Sequence, residues 1–236
     1  MKHARRVAPW ILVLTVMAAG CAKTYVPQEQ AYTGPKVKRP GRILVHNFAA
    51  SPADIPPGSL LARRYPQPAT PPTPQEYAAG RQLGVEVATA LVAEIQAMGL
   101  PAVRAAGQPA PRVGDLVIMG YFEAVDTGNA GQRVVLGFGN GTAHMRTAVE
   151  GYLMTEQGLR RVGSGEADTG VSQTPGLAVP MAVAVATRNP IGLIVSSAAK
   201  MEGEATGRTT IEGAGRKTAQ LIAERLREGF QRQGWI

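Results

Sequence analysis

Leu116-Val117-Ile118-Met119-Gly120-Tyr121-Phe122-Glu123-Ala124-Val125 (LVIMGYFEAV) is the stretch on which the fold turns. It is almost continuously apolar, rich in β-branched and aromatic side chains, and introduced by Gly114-Asp115. A strand with one wet face alternates apolar and polar residues; this one does not alternate, so it is predicted to be a central strand covered on both faces.

Downstream, Gln132–Gly137 (QRVVLG) predicts a further strand. From Ala143 to Leu153 the period is two: Ala143, Met145, Thr147, Val149, Gly151 and Leu153 point one way, and His144, Arg146, Glu150 and Tyr152 the other. Glu156-Gln157-Gly158 predicts a turn, and Leu159–Asp168 the returning strand. Upstream, Arg42–Phe48 (RILVHNF) predicts the first strand, and Pro101–Ala105 a short one. Between them, residues 51–74 hold eight prolines and predict a long surface loop, neither regular helix nor central strand.

Two helices complete the pattern. Thr73-Pro74-Gln75-Glu76 combines a candidate N-cap, proline at the first helical position and Glu at the third. Leu83, Val87, Leu91, Ile95 and Met98 then recur every three or four residues until Gly99 and Pro101. A second helix over Ile211–Gln233 carries Thr218, Leu221, Ile222, Leu226 and Phe230 on one side before Gly234-Trp235. The expected fold is α+β: a two-layer sandwich of a mixed, mainly antiparallel sheet with two amphipathic helices.

The N-terminus predicts an address. Lys2, Arg5 and Arg6 precede the apolar run Trp10–Met17, which is too short to cross the roughly 30 Å hydrocarbon core. Ala18-Ala19-Gly20 lead into Cys21, the only cysteine of the chain. Small residues directly before a cysteine resemble the lipobox of bacterial lipoproteins. That resemblance implies a diacylglyceryl group on the Cys21 thiol, cleavage after Gly20 and acylation of the new amino terminus, as a permanent anchor. With Ala22 next, and no Asp there, it implies the outer membrane, periplasmic face. The expected organisation is a signal peptide over 1–20, a lipidated tether over 21–41 and one domain over 42–236. Loss of Lys2, Arg5 and Arg6 lowers the formal charge from +8 to about +5, and the remaining bases are scattered along the chain. With 5% aromatic residues, a nucleic-acid stacking platform is not expected.

The element order and several motifs resemble domain-of-unknown-function family 4410, a group of small bacterial lipoproteins. The matching residues are Arg42–Phe48, Gly114–Phe122, and Arg133–Gly141 with its Gly137-Phe138-Gly139-Asn140-Gly141 loop; the C-terminal helix ending in Gly-Trp fits too. More distantly the order is similar to the curli-secretion lipoprotein and to the amino-terminal domain of the Tol-system periplasmic protein. The likeness implies an α/β sandwich used in envelope assembly and protein contacts, with no catalytic residues to carry over.

Candidate chemistry is sparse. Gly137–Gly141 lacks the spacing and the following helix of a dinucleotide loop and predicts a hairpin turn, with Phe138 and Asn140 as interaction-surface candidates. Ser197-Ala198-Ala199-Lys200 fits Ser-x-x-Lys without its partner motifs. His46 and His144, far apart in sequence, do not make a zinc site. Glu123, Asp126, Glu150, Glu166 and Asp168 offer carboxylate pairs for a glycosidase-type dyad but are expected on solvated strand faces. An apolar insert over 175–203, with Leu177, Val179 and Met181 as contact candidates, either packs on the domain or forms a membrane-facing or oligomer-forming hairpin. The expected function is therefore non-enzymatic, with no catalytic, cofactor-binding or metal residues. The expected partners are the membrane and an envelope protein, with a homo-oligomer as a further option and no nucleic acid. The alternatives are a membrane-inserting oligomeric secretion or pore component and an envelope hydrolase.

Overall fold

A computed structural model describes residues 31–65, 73–126, 144–169 and 211–236. Cys21 and the expected signal peptide, the predicted strand at 132–137, Phe138 and Asn140, Ser197 and Lys200, and the expected insert with Leu177, Val179 and Met181 lie outside the described residues.

Among the described residues five strands form one mixed sheet: β1 (Ile43–Val45), β2 (Ala102–Arg104), β3 (Leu116–Asp126), β4 (His144–Thr155) and β5 (Gly158–Asp168), in the order β2-β1-β3-β4-β5. β1 runs parallel to β2 and β3, while β3, β4 and β5 are a long antiparallel meander. The helices of the described residues are α1 (Leu61–Arg64), α2 (Pro74–Ala97) and α3 (Ile211–Gln233). This is the expected α+β class. The first strand is shorter than expected, but Ala49 returns beside β3 as an isolated bridge to Tyr121.

α2 and α3 pack together and cover one face of the sheet. Leu83, Val87, Leu91 and Ile95 of the predicted stripe are buried against Ile43, Val45, Ile118 and Phe122 on the strands and Ala219 and Ile222 on α3. Both long helices stop in the same way. Gly99 and Gly234 take φ of +77° and +75°, a left-handed conformation that costs glycine little, and the next amide reaches back to Ile95 and Phe230 respectively.

The seam between α2 and the sheet is built on two missing side chains. Phe48 lies between Gly84 of α2 and Gly120 of β3. Its amide donates to the Gly84 carbonyl at 3.2 Å, and its ring occupies the place a Gly120 Cβ would need. The ring stacks on Phe122 at 6.0 Å.

The other face of β3 is covered as well, as its unbroken apolarity predicts, but by a different means. Residues 49–65 cross it as a strap that buries Ala49, Ile55 and Leu61 on Tyr121 and Ala148. The proline-rich segment is thus more than a surface loop. It holds a short 3-10 turn at Pro52–Asp54 and one helical turn, α1, where Gly58–Tyr65 contains no proline to remove an amide donor.

Candidate functional site

β4 sends Arg146, Glu150 and Tyr152 to the strap side, as its period-two pattern predicts, and β5 sends Arg161 and Glu166 beside them. These side chains meet the strap instead of water. Glu150 is 4% exposed; its Oε2 accepts from the Ser59 hydroxyl at 2.9 Å and the Tyr152 hydroxyl at 2.5 Å, and Oε1 lies 3.7 Å from Arg161. The Leu60 amide donates to the Tyr152 oxygen at 2.8 Å. Burial, and the Glu150 carboxylate beside it, push the Tyr152 phenol up to about 12.

A second knot sits one turn further along the strap. Arg64 pairs with Glu166 at 2.8 Å and lies 4.0 Å from Glu123, while the Tyr65 hydroxyl donates to Glu123 and its ring stacks on Tyr121 at 4.5 Å. Arg146 and Asp168 pair across β4 and β5 at 3.4 Å. The carboxylates expected on solvated faces are therefore largely covered, because the strap lies over them. Burial, and then the like charge of Glu166, push Glu123 up to about 7 against the opposing pull of Arg64 and Arg146.

That shift predicts a pH effect. A carboxyl group whose folded pKa is raised binds more protons folded than unfolded between its ordinary value and the folded one. Glu123 therefore favours the folded state below about pH 4.5, and this contribution is lost as pH rises through about 7. Glu123→Gln removes the titration. The variant is expected to be more stable than wild type at pH 8 by about 2 kcal/mol, a value discounted for solvent screening from the full shift, with the difference vanishing near pH 4.5. Urea unfolding across that range checks it; a constant offset at every pH would refute the assignment.

Between α1 and strands β4 and β5 a cleft of about 330 Å³ remains, with Arg63, Arg64 and Arg161 around it and Glu150 and Ser164 in its lining. Sequence reasoning missed Ser59, Arg64 and Tyr65, which lie in the proline-rich segment. The one available signal was the run of apolar residues Ile55, Leu60, Leu61 and Tyr65 threaded through it.

The remaining candidates do not converge. His46 follows β1 at the level of Ile118, and burial lowers its pKa. His144 is the register partner of Asp126 at the far end of β3, on the order of 25 Å away. Among the described residues no group of three or more His, Cys, Asp or Glu is placed to hold a metal ion.

The family model for a domain of unknown function, DUF4410, matches residues 43–187, which include all five strands and the strap. The chain belongs to the DUF4410 family. No curated protein matches it. Two solved structures of PelC from Paraburkholderia phytofirmans are similar in outline. A PelC dodecamer carrying one leucine-to-methionine substitution has 16% identity, a TM-score of 0.38 and coverage of 70% of this chain and 98% of that one. The PelC dodecamer in a second crystal form has 16% identity, a TM-score of 0.36 and coverage of 71% and 97%.

This DUF4410 domain has a second recess, on the helix side of the sheet, where α3 leaves β5 uncovered. It is an apolar groove of about 170 Å³ lined by Gly151, Gly163 and Gly165 of the strands, by Leu226 and Trp235, and by Tyr32 from the segment before β1. That segment is fastened at two points: the Val37 amide donates to Gln233 at 2.7 Å, and the Trp235 indole donates to the Val37 carbonyl at 2.9 Å.

Proposed function

We propose that this chain is a non-enzymatic lipoprotein of the bacterial outer membrane, anchored through Cys21 on the periplasmic face and working by contact with another envelope protein. The observation that carries the contact reading is the state of the strap-side polar groups. Glu123, Glu150, Glu166 and Asp168 each meet an arginine or a hydroxyl, and the first three hold residues 59–65 on the sheet. A carboxylate held by an arginine or a hydroxyl of the strap is engaged within the fold, whereas a cleft with arginines around it and a buried acid in its lining suits recognition of a polar protein surface. Among the described residues no helix is long and apolar enough to cross a membrane, so the lipid carries the attachment in this reading.

A photo-crosslinking residue at Arg63, and separately at Phe138, is expected to capture a discrete envelope protein in intact cells. The adducts should be lost when Cys21→Ser removes the anchor. A chain that crosslinks to nothing at either position, while still fractionating with the outer membrane, would count against contact as its mode of action.

One observation favours a second reading, an envelope hydrolase: Glu123 is raised to about 7 beside Glu166, in the range suited to a general acid. Activity on peptidoglycan or ester substrates that is abolished by Glu123→Gln, with folding retained, would support that reading over ours. A pore built from the 177–199 insert would instead predict that Cys21→Ser protein without its signal assembles into detergent-requiring oligomers.

A further inference from the structure

The bases that look scattered along the sequence are gathered by the fold. On the strap side, Arg64, Arg146 and Arg161 each lie against a carboxylate, and Arg63 stands exposed beside them. Around the groove the balance is different. Lys36 and Lys38 flank the fastened Val37, Arg39 follows with its guanidinium on the Gly99 carbonyl at 2.7 Å, Arg160 lies over the Tyr32 ring at 5.7 Å, and Arg225 and Arg232 line the groove from α3. All six are exposed; the acids at hand are Glu166 in the groove lining, held by Arg64, and Glu224 and Glu228 exposed on α3, of which Glu228 pairs with Arg225 at 3.5 Å. Between the bases stands Tyr32, a half-buried ring with one polar end, the kind that sits at headgroup level in bilayers, while Trp235 is buried against Phe230. A Cβ built on Gly165 meets no atom within 4 Å, so that part of the groove floor opens to free space.

The chain's path selects the occupant. Ala31 lines this groove, and Cys21 lies only ten residues before it. Even fully extended, that tether spans at most about 35 Å. A lipid on Cys21 therefore starts its tether on the groove side of the domain, where these bases lie, and an anionic headgroup layer attracts bases within a Debye length of about 8 Å. We propose that the groove face, with Lys36, Lys38, Arg39, Arg160, Arg225 and Arg232, docks on an anionic phospholipid surface. The strap-side cleft is then turned away from the bilayer toward partners. This inference rests on the lipid-anchor reading of Cys21.

The test uses the full lipidated protein in vesicles of phosphatidylcholine, with or without phosphatidylglycerol. Cys21 is the only cysteine, so in the lipidated chain an introduced cysteine is the only free thiol for a fluorophore. Gly229→Cys places the label at the groove, where a built Cβ meets only the end of Arg232 at 3.9 Å, and Ala62→Cys places it on α1 across the sheet. With phosphatidylglycerol at low salt, headgroup nitroxides are expected to quench the label at 229 and to leave the label at 62 bright. At high salt, or with Lys36→Glu, Lys38→Glu, Arg160→Glu and Arg232→Glu combined, quenching at 229 should fall to the level at 62. Equal quenching at both positions in all vesicles would overturn the proposal. So would a groove label that crosslinks to an envelope protein in cells while escaping lipid quenchers. Flotation with phosphatidylcholine vesicles reports the anchor separately. If Cys21→Ser floats there as well as wild type, the anchor reading fails, and the label at 229 then tests the face alone through charge-dependent binding to anionic vesicles.

Discussion

Gly84→Ala is expected to destabilise the protein by about 3 kcal/mol or more, although alanine is the better helix former by about 1 kcal/mol. The sign follows from where α2 touches the chain after β1. A Cβ at Gly84 would overlap the Phe48 carbonyl oxygen and lie 3.1 Å from its carbon. Those are backbone atoms, pinned by the Phe48 amide on Gly84 and by the bridge from Ala49 to β3. They cannot swing aside as a side chain would, so relief requires α2 to lift from its seam with β1 and β3. Gly165→Ala is the matched control, with no atom near its built Cβ, and is expected to stay within about 0.5 kcal/mol of wild type. Urea midpoints compare the two. A Gly84→Ala protein as stable as wild type would mean that α2 does not lie against Phe48.

Glu150→Ala should cost a similar amount, about 3 kcal/mol, for a chemical instead of a steric reason. Removing the carboxylate takes the acceptor from the hydroxyls of Ser59 and Tyr152 and the partner from Arg161, at a position 4% exposed. Two local readouts separate this from general loosening. Hydrogen exchange at Leu60 and Leu61 should quicken, since the Leu60 amide hangs on Tyr152 and the Leu61 amide on Ser59. The Tyr152 phenol, pushed up to about 12, should titrate lower once Glu150 is gone. Glu150→Gln keeps an acceptor and should lose less. Unchanged exchange and titration in Glu150→Ala would remove the clamp from the account.

What the sequence made legible follows the length of each periodic pattern. α2, α3 and the meander β3–β5 show repeats long enough to fix type and facing side chains, and β3's lack of alternation correctly required cover on both faces. The identity of the second cover was not legible. Period two places Glu150 and Tyr152 on one side of β4, yet whether that side meets water depends on Ser59, 91 residues earlier. Eight prolines disguise the strap, since proline density signals loop whatever the intervening residues do. The groove face was hidden by sequence distance too: Trp235 and Val37 are 198 residues apart, and only folding brings Val37, between Lys36 and Lys38, onto Gln233 and Trp235.

The lipid anchor on Cys21 is the premise on which address, orientation and contact all stand. Its most direct test is the intact mass of the protein extracted from outer membranes, for wild type and Cys21→Ser. The expected chain begins at Cys21 and carries a diacylglyceryl group and an N-acyl chain, with the variant unacylated and absent from that fraction. A membrane-fraction protein with an unmodified Cys21 thiol, or one cleaved at another residue, would contradict it.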